Sequence, residues 1–219
     1  MAVEYLKQKL MKKLFTLGLG LSLFAVAFTS QAQTSSDVKF GIKAGGNLMM
    51  GGKFELAGTE YTTKYVPGFQ AGVFVEIPLS TKVSFMPEVL YSQKGAKLDE
   101  TVAGINGVVK SKAGYIDVPI LFAYNATPEL HFMLGPQASF LMNQRSETYV
   151  NGEKTGSSTD TDGFRKSIAG GVIGAGYRVT PNINLNLRYS MDFQAATKDD
   201  VNQDKGRFSG FALSAGYSF

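Results

Sequence analysis

The sequence predicts an all-β protein: an eight-stranded antiparallel up-and-down transmembrane β-barrel. Three observations carry that prediction. Eight segments alternate apolar and polar residues with period two, as strands with two different environments do. The links between them are alternately short and long, which describes hairpins in an up-and-down barrel. The polar face is rich in glycine, and the apolar face carries aromatics near strand ends.

The first segment sets Val38, Phe40, Ile42, Ala44, Gly46 and Leu48 against Lys39, Gly41, Lys43, Gly45 and Asn47. The second sets Phe69, Ala71, Val73, Val75 and Ile77 against Gln70, Gly72, Phe74 and Glu76. In the third, Val83 to Tyr91 oppose Ser84 to Ser92, and in the fourth Ile116 to Tyr124 oppose Tyr115 to Ala123. The fifth puts Leu130, Phe132, Leu134, Pro136, Ala138 and Phe140 opposite His131, Met133, Gly135, Gln137 and Ser139. The sixth covers Ala169 to Val179. The seventh is the clearest, with Ile183, Leu185, Leu187, Tyr189, Met191 and Phe193 against Asn184, Asn186, Arg188, Ser190, Asp192 and Gln194. The eighth alternates from Phe211 to Phe219. Short turns fall at Leu79–Thr81, Ala126–Glu129 and Thr180–Asn182. Long loops are expected over 49–67, 95–113, 142–164 and 195–206.

Alternation alone does not say which face meets water. A soluble barrel hides its apolar face, and a membrane barrel inverts that arrangement. Glycines at 41, 45, 72, 135, 174, 176 and 216 favour inversion, because an eight-stranded interior is only wide enough for side chains and glycine makes room for long ones. Phe40, Tyr91, Tyr124, Tyr177, Tyr189, Tyr217 and Phe219 suit the aromatic girdles of the two bilayer interfaces. Strands of about ten residues suit a tilted span. Hydrocarbon also requires a closed sheet, since every backbone N–H and C=O must be paired within the protein.

Charges then belong inside. Lys43, Glu88 and Arg188 fall at similar heights from the short-turn end, with Asp117 slightly higher. Buried ions are costly unless paired, so Lys43 and Arg188 are expected to pair with Glu88 and Asp117 in a plugged interior. Pro87, Pro119 and Pro136 lie within strands and donate nothing to the ladder, so each is expected to mark a bulge or irregularity.

The first 32 residues read as an N-terminal extension and cleaved signal peptide, with the barrel domain over 33–219. Lys12 and Lys13 precede an uncharged apolar run from Leu14 to Phe28, and Ser30-Gln31-Ala32 supplies a small-residue cleavage site. Met11 is the better start, and the mature chain is expected to begin near Gln33. The whole sequence carries a net charge of +4. Removing Lys7, Lys9, Lys12, Lys13 and Glu4 leaves 18 basic and 17 acidic residues, a net charge of +1. No basic stripe remains, so nucleic acid is not expected as a partner.

Composition narrows the chemistry further. Hydrophobic residues make up 44% and charged residues 18%, which excludes a disordered chain. The absence of Cys excludes disulfides, thiolate metal sites and thiol catalysis. The one histidine, His131, sits near a turn and reads as a rim residue. Gly170 to Gly176 lies within a strand and lacks the Lys-Ser/Thr of a nucleotide loop. Asp200-Val201-Asn202-Gln203-Asp204 has calcium-loop spacing, but its Gly is one place late and Phe211 stands at the twelfth position. No catalytic residue, cofactor or metal is expected. The long loops are the expected contact surface.

The segments VKFGIKAGGN, FMPEVLYSQKG, AGYIDVPILFAYN, HFMLGPQASFLM and AGGVIGAGYRV resemble the outer-membrane β-barrel domain family, called porin-family proteins in Bacteroidetes and similar to small OmpA- and OmpX-type barrels. The ending Tyr217-Ser218-Phe219 resembles the signal read by barrel-assembly machinery, with Ser214 where that signal often has Gly. The resemblance implies the outer membrane of a Gram-negative cell. Its implied partners are outer-membrane lipid or lipopolysaccharide, the assembly machinery during biogenesis, and an unidentified surface ligand at the loops. It implies a structural or surface-interaction role without catalysis. A small porin or channel and a soluble lipocalin-like binder are the alternatives.

Overall fold

The structure is a computed structural model. It describes residues 38–56, 59–102, 105–198 and 206–219, leaving out the side chains of 54–56, 59, 60 and 102. The leader expected over 11–32 and the Asp200–Asp204 spacing lie outside the described residues.

Among the described residues eleven strands run in chain order: β1 Lys39–Met50, β2 Lys53–Leu56, β3 Thr59–Thr62, β4 Val66–Pro78, β5 Val83–Val102, β6 Ile105–Asn125, β7 Leu130–Val150, β8 Glu153–Ser158, β9 Ser167–Arg178, β10 Ile183–Asp192 and β11 Ser209–Ser218. Eight of them follow one another around a ring, β1-β4-β5-β6-β7-β9-β10-β11, and β1 pairs with β11 to close it. Every neighbouring pair is antiparallel. These eight coincide with the eight alternating segments. β2 and β3 form a separate hairpin, and β8 pairs with the outer part of β7.

The side chains face as an inverted barrel requires. Val73, Leu185 and Leu187 point outward and are about half exposed. Lys43, Glu88, Asp117 and Arg188 are buried. A lipocalin-like binder needs the opposite arrangement, so that alternative is excluded.

Three short turns at one end share a construction. Ser80 Oγ accepts the backbone N–H groups of Lys82 and Val83. Thr127 Oγ1 does the same for Glu129 and Leu130, and Thr180 Oγ1 for Asn182 and Ile183. In each turn the hydroxyl holds the N–H groups two and three residues on, a local bond that favours a turn over continued strand.

The opposite end corrects the loop expectation. Residues 95–102 and 105–113 are strand rather than loop: the β5–β6 ladder continues from Val83↔Tyr124 to Val102↔Ile105. β7 likewise runs on to Val150 and folds back as β8. The segment 49–67 contains the β2–β3 hairpin. Above the bilayer both faces of a strand meet water, so the polar–apolar contrast fades while the backbone ladder persists.

The prolines mark irregularities, as expected, but not bulges. The ladder skips the residues at Pro87 between β4 and β5, at Pro119 between β5 and β6, and at Pro136 between β6 and β7. On either side of each gap the register is unchanged, so none of the three is a bulge. The register shift in the β6–β7 ladder falls instead at Gly114/Tyr115. A proline's missing N–H removes a ladder bond without adding a residue, which is why bonding is interrupted and pairing is not displaced.

Candidate functional site

The interior is built in layers. Nearest the short turns, Arg178 donates to Glu76 at 2.6 Å and to Asn125 Oδ1 at 3.0 Å, and Ser84 donates to Glu76 at 3.2 Å. His131 is buried beside Gly176, where an added Cβ would meet the imidazole ring. Glycine there makes room for the ring.

An apolar layer of Met86, Leu121, Ala123, Met133 and Val172 also fills the interior. These residues sit at inward positions of otherwise polar faces, so the polar interior has an apolar layer within it.

Glu88 organises one ionic layer. Arg188 donates to it through both terminal nitrogens at 2.7 Å, and Lys43 Nζ donates at 2.8 Å. The Lys43 ammonium also lies 5.3 Å from the centre of the Phe74 ring, a cation–π distance. Two cations on one carboxylate leave this layer at +1.

Asp117 is the correction. It does not join Lys43 or Arg188. It lies 3.8 Å from Lys94, whose ammonium donates to both oxygens of Asp192 at 2.8 and 3.0 Å and to Ser139 at 3.1 Å. Lys94 also sits 4.9 Å from the centre of the Tyr115 ring. This second layer is −1, so the two triads balance. Lys94 and Asp192 were absent from the expected network. The signal that finds them is parity: Lys94 continues the inward series of Glu88, Leu90 and Ser92, and Asp192 that of Asn186 and Arg188.

A cavity of about 20 Å³ lies against both layers, lined in part by Asn47, Gln70, Asp117 and Arg188. Asn47 Oδ1, Gln70 Nε2, Asp117 Oδ1 and Arg188 Nε are buried with no hydrogen-bond partner among the described residues. Two donors and two acceptors around a void of this size match the bonding capacity of one water molecule. An apolar cluster of Met49, Ala113, Tyr115, Ile168, Ala196 and Phe208 adds a further layer of buried packing.

The expected girdle residues face outward. Phe40, Tyr124, Tyr177, Tyr217 and Phe219 are between 45% and 74% exposed. Tyr91 and Tyr189 are half-buried, packed on Phe69 and Phe211 with ring centroids 5.6 and 5.1 Å apart. Tyr217 and Phe219 meet edge to face at 5.5 Å.

A family model described as "Outer membrane protein beta-barrel domain" matches residues 30–195. Three solved structures are similar. The attachment invasion locus protein Ail of Yersinia pestis is 14% identical, covering 84% of this chain and 100% of its own, with a TM-score of 0.47. Neisserial surface protein A is 16% identical, covering 84% and 100%, with a TM-score of 0.45. OprG of Pseudomonas aeruginosa is 12% identical, covering 86% and 99%, with a TM-score of 0.44. No curated protein matches the sequence significantly.

Proposed function

The chain belongs to the outer membrane protein beta-barrel domain family, and from that premise we propose a sealed, non-catalytic barrel that acts through its surface-exposed end. It resides in the outer membrane of a Gram-negative cell, where the short turns face the periplasm. The apolar run and small-residue site over 11–32 support export on a cleaved leader, and the alternating aromatics up to Phe219 support recognition by assembly machinery.

One observation carries the sealed reading. The two ionic triads occupy the ring interior with every carboxylate within 4 Å of a cation, and the cavity that lies against both has a volume of about 20 Å³. Ion flow requires a continuous wet path, and here each charge is held by another. The test is planar-bilayer conductance of the purified protein with its leader removed. A silent membrane is expected. Stable openings would establish the small-channel alternative and overturn the sealed one. Membrane fractionation with heat-modifiable gel mobility tests the barrel itself.

A further inference from the structure

We propose that Asn151, at the tip of the β7–β8 hairpin, is a site of spontaneous deamidation, and that the fold confines the reaction to it. Its place on the surface-exposed end rests on the barrel reading above; the reaction itself needs only the strand geometry. The chemistry requires an asparagine followed by an unhindered peptide nitrogen. The Gly152 nitrogen attacks Cγ of Asn151 and gives up its proton. The N–Cγ bond forms, the Cγ–Nδ2 bond breaks and ammonia leaves. Water then opens the cyclic imide at either carbonyl, giving aspartate or isoaspartate. Glycine favours the step because no side chain hinders its nitrogen or the rotation of its peptide.

Of the asparagines in the sequence, only Asn106 and Asn151 precede glycine. As dipeptides they are equivalent, and the structure separates them. Asn151 and Gly152 form the two-residue turn between β7 and β8, with φ of 49° and 88°. Positive φ at both central positions is the hairpin turn that Asn-Gly favours. The ladder ends at Val150↔Glu153, so the Gly152 N–H lies outside it. Both turn residues are exposed, and a Cβ added at Gly152 would meet nothing within 4 Å. The attacking nitrogen is accessible there and its peptide has room to rotate toward Cγ.

Asn106 is held at both reacting groups. Gly107 lies inside two antiparallel ladders, opposite Glu100 on β5 and Val150 on β7. A residue between two such neighbours gives its N–H to one of them, which engages the nitrogen that would attack. The Nδ2 that would leave donates to Asp99 Oδ1 at 3.3 Å and to Thr101 Oγ1 at 3.2 Å. Ring closure at Asn106 therefore requires ladder and side-chain bonds to open first.

Conversion matters to the surface because the two asparagines are tied together. The Asn151 N–H donates to the Asn106 carbonyl oxygen at 2.8 Å, and the Asn106 N–H donates to Asn151 Oδ1 at 2.9 Å. This pair joins the β7–β8 tip to the start of β6. Aspartate keeps an acceptor at the Oδ1 position. Isoaspartate routes the main chain through Cγ, which lengthens the turn by one methylene and breaks the tie. Either product adds a negative charge next to Glu153.

The test incubates the leaderless protein in mildly alkaline buffer, folded in detergent and, separately, unfolded in guanidinium chloride. Trypsin releases residues 146–154 and 98–110, each with a single asparagine, and mass spectrometry follows amide-to-acid conversion in both peptides. In the folded protein Asn151 is expected to convert at least about tenfold faster than Asn106, the effect of the bonds that hold Asn106. In guanidinium the two sites are expected to convert at similar rates. Isoaspartate is identified by protein isoaspartyl methyltransferase, and the Asn106 amide resonance is expected to move as it accumulates. Asn151→Gln is expected to leave residues 146–154 unconverted and residues 98–110 unchanged. Equal rates at the two sites in the folded protein overturn the proposal. So does a folded Asn151 that stays intact while both sites convert in guanidinium, and so does a preference for Asn151 that persists there, since the fold then confines nothing. Heat-modifiable mobility of the same samples tests the barrel reading separately.

Discussion

Glu88 is the residue on which one interior layer depends, because a single carboxylate holds both Lys43 and Arg188. Removing one member of a buried ion cluster leaves uncompensated charge and costs about 3–5 kcal/mol. Glu88→Gln is expected to lose stability of that order, read as urea unfolding in phospholipid vesicles by tyrosine fluorescence, since the chain has no Trp. Asp192→Asn is expected to cost less, because Asp117 remains 3.8 Å from Lys94. A ranking in the opposite order would contradict the layer assignment. Above the membrane, Lys97 and Asn106 hold the Asp99 carboxyl down to about 2, and Lys154 and Tyr149 hold Glu147 down to about 2. Both lie below their free values of about 3.9 and 4.3. Folded values depressed in this way contribute stability that is complete above about pH 4 and is lost as pH falls toward 2. Carboxyl carbon NMR is expected to show no titration of either group between pH 7 and 5, and midpoints near 2. A midpoint near 4 would show that these ion pairs do not form.

The elements show two devices. The first is the hydroxyl turn at Ser80, Thr127 and Thr180. Its period is visible as S/T-x-x followed by Val, Leu or Ile, with proline second in two of the three. Thr180→Val removes the acceptor for two N–H groups at an exposed turn. Its expected cost is about 0.5–1.5 kcal/mol with the ring intact, and unfolding at unchanged cooperativity is the check. The second device is close approach at glycine. At Gly72 an added Cβ would run into the Val89 carbonyl oxygen on the neighbouring strand. Sequence parity placed Gly72 inside but attributed it to room for long side chains. At this position the constraint is strand against strand.

For the whole molecule, closure is the governing fact. The β1–β11 ladder runs from Gly41↔Ser218 to Met50↔Ser209, joining the ends of the ring so that no edge remains in the spanning region. The outward face must then be uniformly compatible with hydrocarbon. Leu187, 56% exposed and paired with Leu213 and Ala175, sits well within the ladders of its strand. Leu187→Arg is expected to cost roughly 2–4 kcal/mol in a bilayer. If the same substitution were neutral in vesicles, this face would not meet lipid.

Period two by itself determined the eight spanning strands, their inward and outward sets, and the short-turn end, because a bilayer outside and a narrow interior impose a strong contrast on alternate residues. It also placed Lys43, Glu88 and Arg188 at one height, since parity and distance from a turn are local quantities. Only the tertiary structure decided that Asp117 serves Lys94 and Asp192, because lateral neighbours across a closed ring depend on register and tilt. It likewise decided that 95–102 and 105–113 are strand, where water on both faces erases the sequence contrast.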